Sequence, residues 1–314
     1  MKVLVTGATG FIGRRIVSRL GEAGFDIRIA SRLPQRLAGE DDAVALPATD
    51  APQEAFLTLM RDVTHVVHCA ALNNDRSAGA ADLRAINVTL TGRLAQAAAT
   101  RIDGRFVYLS SIRAVVGARF SGTIDEATPP APQCAYGRSK REGEIAMLEA
   151  FATAGRTGAT ALRLAPVYGE GMKGNLRGLM RLAATGLPLP TAALTAVRSL
   201  VSHDAVAGAV THLLSRPTAP LPTYVLGDAT PVAVSEIVTA FRRGYGRPAR
   251  LLPVPAWPFR MLATLSGRRA AWHALMATQV CDSSLLASEG WEQEADTLGR
   301  LEELARQRSR SPLP

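Results

Sequence analysis

The chain has 314 residues, 47% of them hydrophobic and 20% charged, and 36 basic against 27 acidic side chains leave a net charge of +9. That length can bury a large core and fits one large domain with a smaller one beside it. No apolar run reaches the roughly 18 residues that span a bilayer, and no helix-turn-helix, zinc-finger or RRM-type signature supports specific nucleic-acid binding.

The first predicted element is a strand, KVLVT (2–6), with no basic leader or cleavage site before it, which predicts a cytoplasmic protein. It runs straight into TGATGFIGRRIVSRL, where Gly7, Gly10 and Gly13 are spaced G-x-x-G-x-x-G. The first glycine permits the tight turn, the second lets a pyrophosphate approach, and the third lets helix and strand pack closely. A helix over 11–23 follows. Its first residues, Phe11 and Ile12, aim free N–H groups and the positive dipole end at phosphates. The second strand is DIRIAS (26–31). A site for NAD usually carries an acid at this strand's end, bonded to the ribose 2′-hydroxyl. Here Ser31 and Arg32 stand there, with Arg36 just beyond. A guanidinium can grip a 2′-phosphate that a carboxylate would repel, so NADP is favoured over NAD. The alternative is that Arg32 stacks on the adenine and discriminates little.

Further strands are predicted at AVAL (43–46), HVVHCA (65–70), RFVYLSS (105–111) and ATALRL (159–164), and helices at 52–61, 81–100 and 135–154. This alternation predicts an α/β protein: a Rossmann-type, doubly wound parallel sheet with a smaller carboxyl-terminal α/β substrate domain. Residues 1–165, with about 199–228, are assigned to the dinucleotide domain, and 166–198 with 229–314 to the substrate domain. Three scattered cysteines, Cys69, Cys134 and Cys281, have neither disulfide nor metal spacing, which fits a reducing compartment and no metal site. The tail RQRSRSPLP is expected to fray.

One stretch carries the chemistry. In AYGRSKREGE (135–144), Tyr136 and Lys140 are four residues apart, on one face of a predicted helix. Only three of the 36 basic residues are lysine, so a lysine here is a pointed choice. A phenol of pKa near 10 is almost wholly protonated at neutral pH, and an adjacent ammonium lowers that value. The pair is then a workable general acid/base. Ser110 and Ser111 end the fifth strand, where a hydroxyl can meet a substrate oxygen; the alternative for either is a turn or helix-capping serine.

These motifs resemble the extended short-chain dehydrogenase/reductases, specifically their nucleotide-sugar epimerase/dehydratase branch. TGATGFIG is similar to the family's cofactor loop, YGRSK to its Tyr-x-x-x-Lys, HCAA (68–71) to its fourth-strand motif, INVTLTG to its asparagine helix and RLAPVYG (163–169) to its R-x-x-x-V-Y-G turn. The resemblance implies Tyr136 as acid/base, Lys140 as the residue that lowers its pKa and holds the nicotinamide ribose, and Ser111 as the group that orients the substrate oxygen. It implies cofactor contacts from Ala70 and Ala71, support from Asn87, and substrate contacts from Asn175 and Arg198. It also implies a homodimer through helices 81–100 and 135–154.

The departures bear on substrate. Pro166 stands where many nucleotide-sugar enzymes have asparagine, Glu170 replaces a proline, and Ala205 follows Asp204 where asparagine is usual. SSIRAVVG lacks the family's tyrosine, and Arg113 is a candidate to reach the substrate instead. The leading expectation is an NAD(P)-dependent epimerase acting through a keto intermediate on a nucleotide- or lipid-linked sugar. The runner-up is an NADPH-dependent ketoreductase of the dihydroflavonol-reductase or hydroxysteroid type. Finally, residues 237–281 hold seven arginines and no acid. The apolar residues there, Trp257, Phe259, Met261 and Trp272, are expected chiefly to fill the core of the small domain, with a weak contact to an anionic membrane as the alternative.

Overall fold

A computed structural model of the protein describes residues 1–37, 42–73, 79–192, 194–255, 257–267 and 269–310. Strand β1 (Lys2–Thr6) leads into helix α1 (Phe11–Glu22), then β2 (Asp26–Ser31), β3 (Ala43–Ala45), α2 (Gln53–Leu59) and β4 (His65–His68). Next come α3 (Ala80–Arg84), a π turn over Ala85–Thr89, α4 (Leu90–Arg101), β5 (Phe106–Ser111), β6 (Gly122–Ile124), α5 (Ala135–Thr153) and β7 (Ala159–Leu164). The second half holds β8 (Val167–Tyr168), α6 (Gly174–Ala184), β9 (Val197–Arg198), β10 (Val201–Ser202), α7 (His203–Ser215), β11 (Thr223–Leu226) and β12 (Val232–Ala233). It ends with α8 (Val234–Gly244), α9 (Trp257–Leu265), α10 (Arg269–Met276), β13 (Gln279–Cys281), α11 (Ser284–Ser288) and α12 (Thr297–Arg310).

Among the described residues, seven parallel strands form the large sheet in the order β11-β7-β5-β4-β1-β2-β3. The chain winds outward from β1 to β3, then returns to place β4 on the other side of β1. That reversal opens a crevice at the carboxyl ends of β1 and β4, where sheets of this kind bind ligands. Period-two alternation fills both faces. Val3, Val5, Ile29, Val67 and Leu162 pack with Ile16 and Leu20 of α1 and Val206, Val210 and Leu213 of α7. Leu4, Val66, Phe106 and Ala161 face Phe56 of α2, Leu94 of α4 and Met147 and Phe151 of α5. A third apolar cluster joins Tyr168, Met180, Ile237, Phe241 and Leu301 around α6, α8 and α12. A small sheet, ordered β12-β9-β13-β6, takes β6 from the first half of the chain and the rest from the second.

Three local expectations need correction. The strand expected over 65–70 ends at His68, because the chain turns at Ala70, whose N–H donates to Thr6 Oγ1 at 3.3 Å. The helix expected over 81–100 is broken by the π turn, in which the Leu90 N–H reaches back to the Ala85 carbonyl. The Asn87 carbonyl accepts instead from the Thr91 and Tyr108 hydroxyls, at 2.9 and 3.2 Å. The tail does not fray where it was expected to: α12 continues to Arg310, and Arg306 pairs with Glu302 and Glu303 one turn earlier. Residues 311–314 of that tail lie outside the described residues. Among the described residues no helix is long and apolar enough to cross a membrane.

Candidate active site

The glycine loop forms the floor of a cleft of about 360 Å³, lined by Gly7, Thr9, Gly10, Ser31, Arg32, Ala70, Ala71 and neighbouring apolar residues. Gly7 has φ +71°, and a Cβ there would come within 2.6 Å of the Ala70 nitrogen. A Cβ on Gly13 would come within 2.2 Å of the Gly7 carbonyl oxygen. Both must therefore be glycine for β1, α1 and the strand end at Ala70 to close together. Gly10 N–H donates to Gly7 O at 3.0 Å, which tightens the turn. Phe11 and Ile12 were expected to offer backbone N–H groups to the cofactor's phosphates, and their side chains point away from the cleft. The Phe11 ring stands 5.5 Å from the His203 ring, and Ile12 packs on the core. Only their backbone N–H groups, in the first turn of α1, remain for an anion. Ser31 uses its hydroxyl to accept from the Leu33 N–H at 3.2 Å, and Arg32 is exposed at the rim. A wall built of glycine and alanine, a helix amino terminus and a rim arginine fits an extended dinucleotide.

Asn87 is fully buried and does not line the cleft. It ties the cleft wall to α5: Leu72 N–H donates to its Oδ1, and its Nδ2 donates to Leu72 O and to Ser139 Oγ, at 2.9, 2.9 and 3.0 Å. Ser139 in turn donates to the Tyr136 carbonyl at 2.8 Å.

The amino terminus of α5 is capped by Cys134 Sγ, which accepts from the Gly137 N–H. Gly137 lets this turn lie on the chain after β5, since a Cβ there would come within 2.2 Å of the Arg113 carbonyl oxygen. The result brings Ser111 and Tyr136 together. Ser111 Oγ accepts from the Arg113 N–H at 3.2 Å, which leaves its own O–H for the Tyr136 phenol. Burial pushes the phenol up to about 12, and the Ser111 hydrogen bond draws it down. The expectation of a lowered phenol pKa is thus not what the folded chain displays: loss of water around Tyr136 outweighs its neighbours. Lys140 is 1% exposed; its ammonium donates to the Leu109 carbonyl at 2.5 Å and lies over the Tyr108 ring. Burial lowers it to about 7, against Glu144 and Cys69, which raise it.

Several residues absent from the expected set complete the site. Glu144 extends the Tyr136–Lys140 row by one more turn and is fully buried. It accepts from Ser110 Oγ at 2.6 Å and pairs with Arg163 of β7 at 3.0 Å and with Arg141 at 2.9 Å. The four-residue spacing of 136, 140 and 144 was the available signal. His68 stacks on Tyr108 and bonds Thr6 and Thr91 through its two ring nitrogens. Burial, and then Lys140, hold it near 3, so it is a neutral packing group.

Arg113 and Arg198 approach one another from opposite parts of the chain. Arg113 donates to Gln279 Oε1 at 3.0 Å, and Gln279 of β13 pairs with Arg198 of β9. Burial lowers both guanidinium pKa values, and Arg113 lowers that of Arg198 further. Arg113 Nη1 is buried with no hydrogen-bond partner. Asn175 stays exposed in the first turn of α6. Among the described residues no group of three His, Cys, Asp or Glu side chains could hold a metal ion.

The NAD dependent epimerase/dehydratase family matches residues 3–227 of the chain. A UDP-glucose 4-epimerase of Vibrio cholerae is 30% identical over 303 residues, covering 92% of this chain and 90% of that protein. Among solved structures, UDP-N-acetylglucosamine 4-epimerase from Bacillus cereus superposes with a TM-score of 0.78 at 22% identity, covering 99% of this chain and all of that one. UDP-glucuronic acid 4-epimerase from Bacillus cereus, in complex with NAD, gives 0.77 at 17% identity, covering 99% of each. The two structural likenesses carry the fold.

Proposed function

The chain belongs to the NAD dependent epimerase/dehydratase family, and on that premise we propose that it is an extended short-chain dehydrogenase/reductase that epimerises a sugar hydroxyl through a keto intermediate. The observation that carries this is the hydrogen bond between Ser111 and Tyr136, one helical turn from the buried Lys140, whose neighbour Cys69 lines a glycine-floored cleft. The substrate is a nucleotide- or lipid-linked sugar, and C4 is the position by likeness to the relatives. When bound, the nicotinamide supplies a reversible two-electron oxidation of the sugar carbon. As the phenolate, Tyr136 takes the hydroxyl proton and, as the phenol so formed, later returns it, while Ser111 holds the sugar oxygen beside it. Lys140, one turn further along α5, supplies a donor for the cofactor ribose and, when protonated, positive charge near the reacting centre. Asn87 keeps the cleft wall and α5 in register.

Arg113 and Arg198 form the anion-binding end of the substrate site in this reading, with Asn175 at its rim. Two neighbouring half-buried guanidiniums, with Arg113 Nη1 left without a hydrogen-bond partner, suit a diphosphate or carboxylate. Residues 1–165 with about 199–228 bind the dinucleotide, and 166–198 with 229–314 cover the sugar. The protein works in the cytoplasm as a homodimer joined through α4 and α5. NADP is preferred, through Ser31 and Arg32.

A second reading is an NADPH-dependent ketoreductase. The missing acid beside Ser31 favours it, because an epimerase recycles its cofactor and has no need of the NADPH pool. Incubation with UDP-glucose, UDP-N-acetylglucosamine and UDP-glucuronic acid, followed by proton NMR, tests the first reading. Interconversion of a 4-epimer pair with no net change in dinucleotide absorbance supports it. Stoichiometric NADPH consumption with a keto-sugar or ketone supports the second and sinks the first.

A further inference from the structure

We propose that α9 docks the protein on the surface of an anionic phospholipid bilayer. Trp257, Met261 and Leu265 follow one another at i, i+4 and i+8, so they stand on one face of the helix. Trp257 and Met261 were expected to fill the core of the small domain, as was Phe259, whose side chain lies outside the described ones. Instead Trp257 and Met261 are 62 and 56% exposed, with Leu265 at 80%, while Ala263 and Thr264 of the same helix are half-buried. A helix packed for stability alone turns its large apolar side chains inward and its small and polar ones outward. Among its described side chains, this one turns three large apolar residues outward over two turns. An indole and two long aliphatic chains on one face suit the boundary between headgroups and acyl chains.

Charge decides which partner fits. Arg260 of α9 and Arg269 of α10 are exposed, as are Arg243, Arg247 and Arg250 on the approach to α9. No aspartate or glutamate occurs from 237 to 281. A second copy of this chain would bring the same positive field against itself. Anionic headgroups are complementary along the whole segment, and each arginine near them adds to the attraction. The contact is electrostatic at long range and apolar at short range, so it forms reversibly and weakens with salt. It is independent of the sugar the active site takes, so failure of either idea leaves the other standing.

Sedimentation of the full chain with phosphatidylglycerol vesicles tests it, at low ionic strength and at about 0.5 M salt, where the Debye length is only a few ångströms. The wild type is expected in the pellet at low salt, released at high salt, and in the supernatant with pure phosphatidylcholine. Combined substitution Trp257→Ser, Met261→Ser and Leu265→Ser should lower the bound fraction at least about fivefold, as should Arg260→Glu with Arg269→Glu. In the wild type, brominated phosphatidylglycerol should quench tryptophan fluorescence, and Trp257→Phe should remove most of that quenching. Wild-type protein that stays in the supernatant at low salt overturns the proposal. So does a triple-serine variant that pellets like the wild type. Lipid-free self-association that the triple-serine variant abolishes assigns the face to a second copy and overturns it equally.

Discussion

The ammonium of Lys140 stands 4.1 Å from the centre of the Tyr108 ring and donates to the carbonyl next along β5, that of Leu109, at 2.5 Å. The lysine is therefore held from below by the sheet rather than by solvent. Burial lowers its pKa to about 7, and Glu144, four residues on, works against that loss; Glu144 in turn is anchored to the sheet through Ser110 and Arg163. Tyr136, Lys140 and Glu144 thus form one row along α5, each meeting a different group on β5 or the loop beyond it.

Removing the phenol oxygen should remove the chemistry and little else. Tyr136→Phe is expected to lower turnover by at least about a hundredfold, the range for loss of a positioned acid/base. Dinucleotide affinity should stay within about threefold, because the cleft is lined by other residues. Steady-state rates and a fluorescence titration on the same preparation check both halves. Near-native turnover in the variant would remove Tyr136 from its role.

Glu144→Ala leaves Arg163, which is 3% exposed, as an unpaired buried charge. The expected cost is about 3–5 kcal/mol in urea-unfolding free energy. Adding Arg163→Met to the same chain should recover more than half of that loss, because the orphaned charge goes with it. Losses that simply add would show that the pair is not coupled.

Arg32→Ala should weaken NADP binding at least about tenfold and NAD binding by much less, because a 2′-phosphate offers a guanidinium two oxygens and a 2′-hydroxyl does not. Titration calorimetry with both nucleotides measures the difference. Equal losses for both would leave Arg32 as an adenine-stacking residue.

Asp228 is 1% exposed and joins three elements, accepting from Tyr168 at 2.8 Å, Thr297 at 3.1 Å and the Ser202 N–H at 3.2 Å. Burial raises its carboxyl to about 6 from the usual 3.8, although those hydrogen bonds pull it down. The folded state then holds more protons than the unfolded one between about pH 4 and 6, so this group's contribution to stability falls as pH rises through that window. The change corresponds to about 3 kcal/mol. Asp228→Asn lacks that dependence. Its Tm relative to wild type should therefore rise by about 5 °C between pH 4 and pH 7. Scanning calorimetry across that range checks it, and a constant difference would place the Asp228 pKa near its unfolded value.

Local pattern carried much of this protein. Alternation marked the six predicted strands of the large sheet, and glycine spacing marked the β1–α1 turn, because both express short-range sterics that any chain of this sequence must obey. The four-residue step from Tyr136 to Lys140 did the same for the shared face of α5 on which the proposed acid/base stands. Everything that needed two distant segments to meet stayed hidden until the fold closed. The sequence showed Arg113 and Arg198 as separate candidates; their approach, through a glutamine 166 residues from Arg113, depends on β13 pairing with both β6 and β9. Asn87 read as a helix residue, and only packing against Leu72 and Tyr108 opened the π turn around it. The phenol was expected to titrate low because spacing reveals a neighbouring charge but not burial. Trp257 and Met261 were expected in a core, and only the folded position of α9 leaves them exposed. Periodicity is set within a few residues of the chain, whereas burial and charge pairing are set by which surfaces the finished fold brings together.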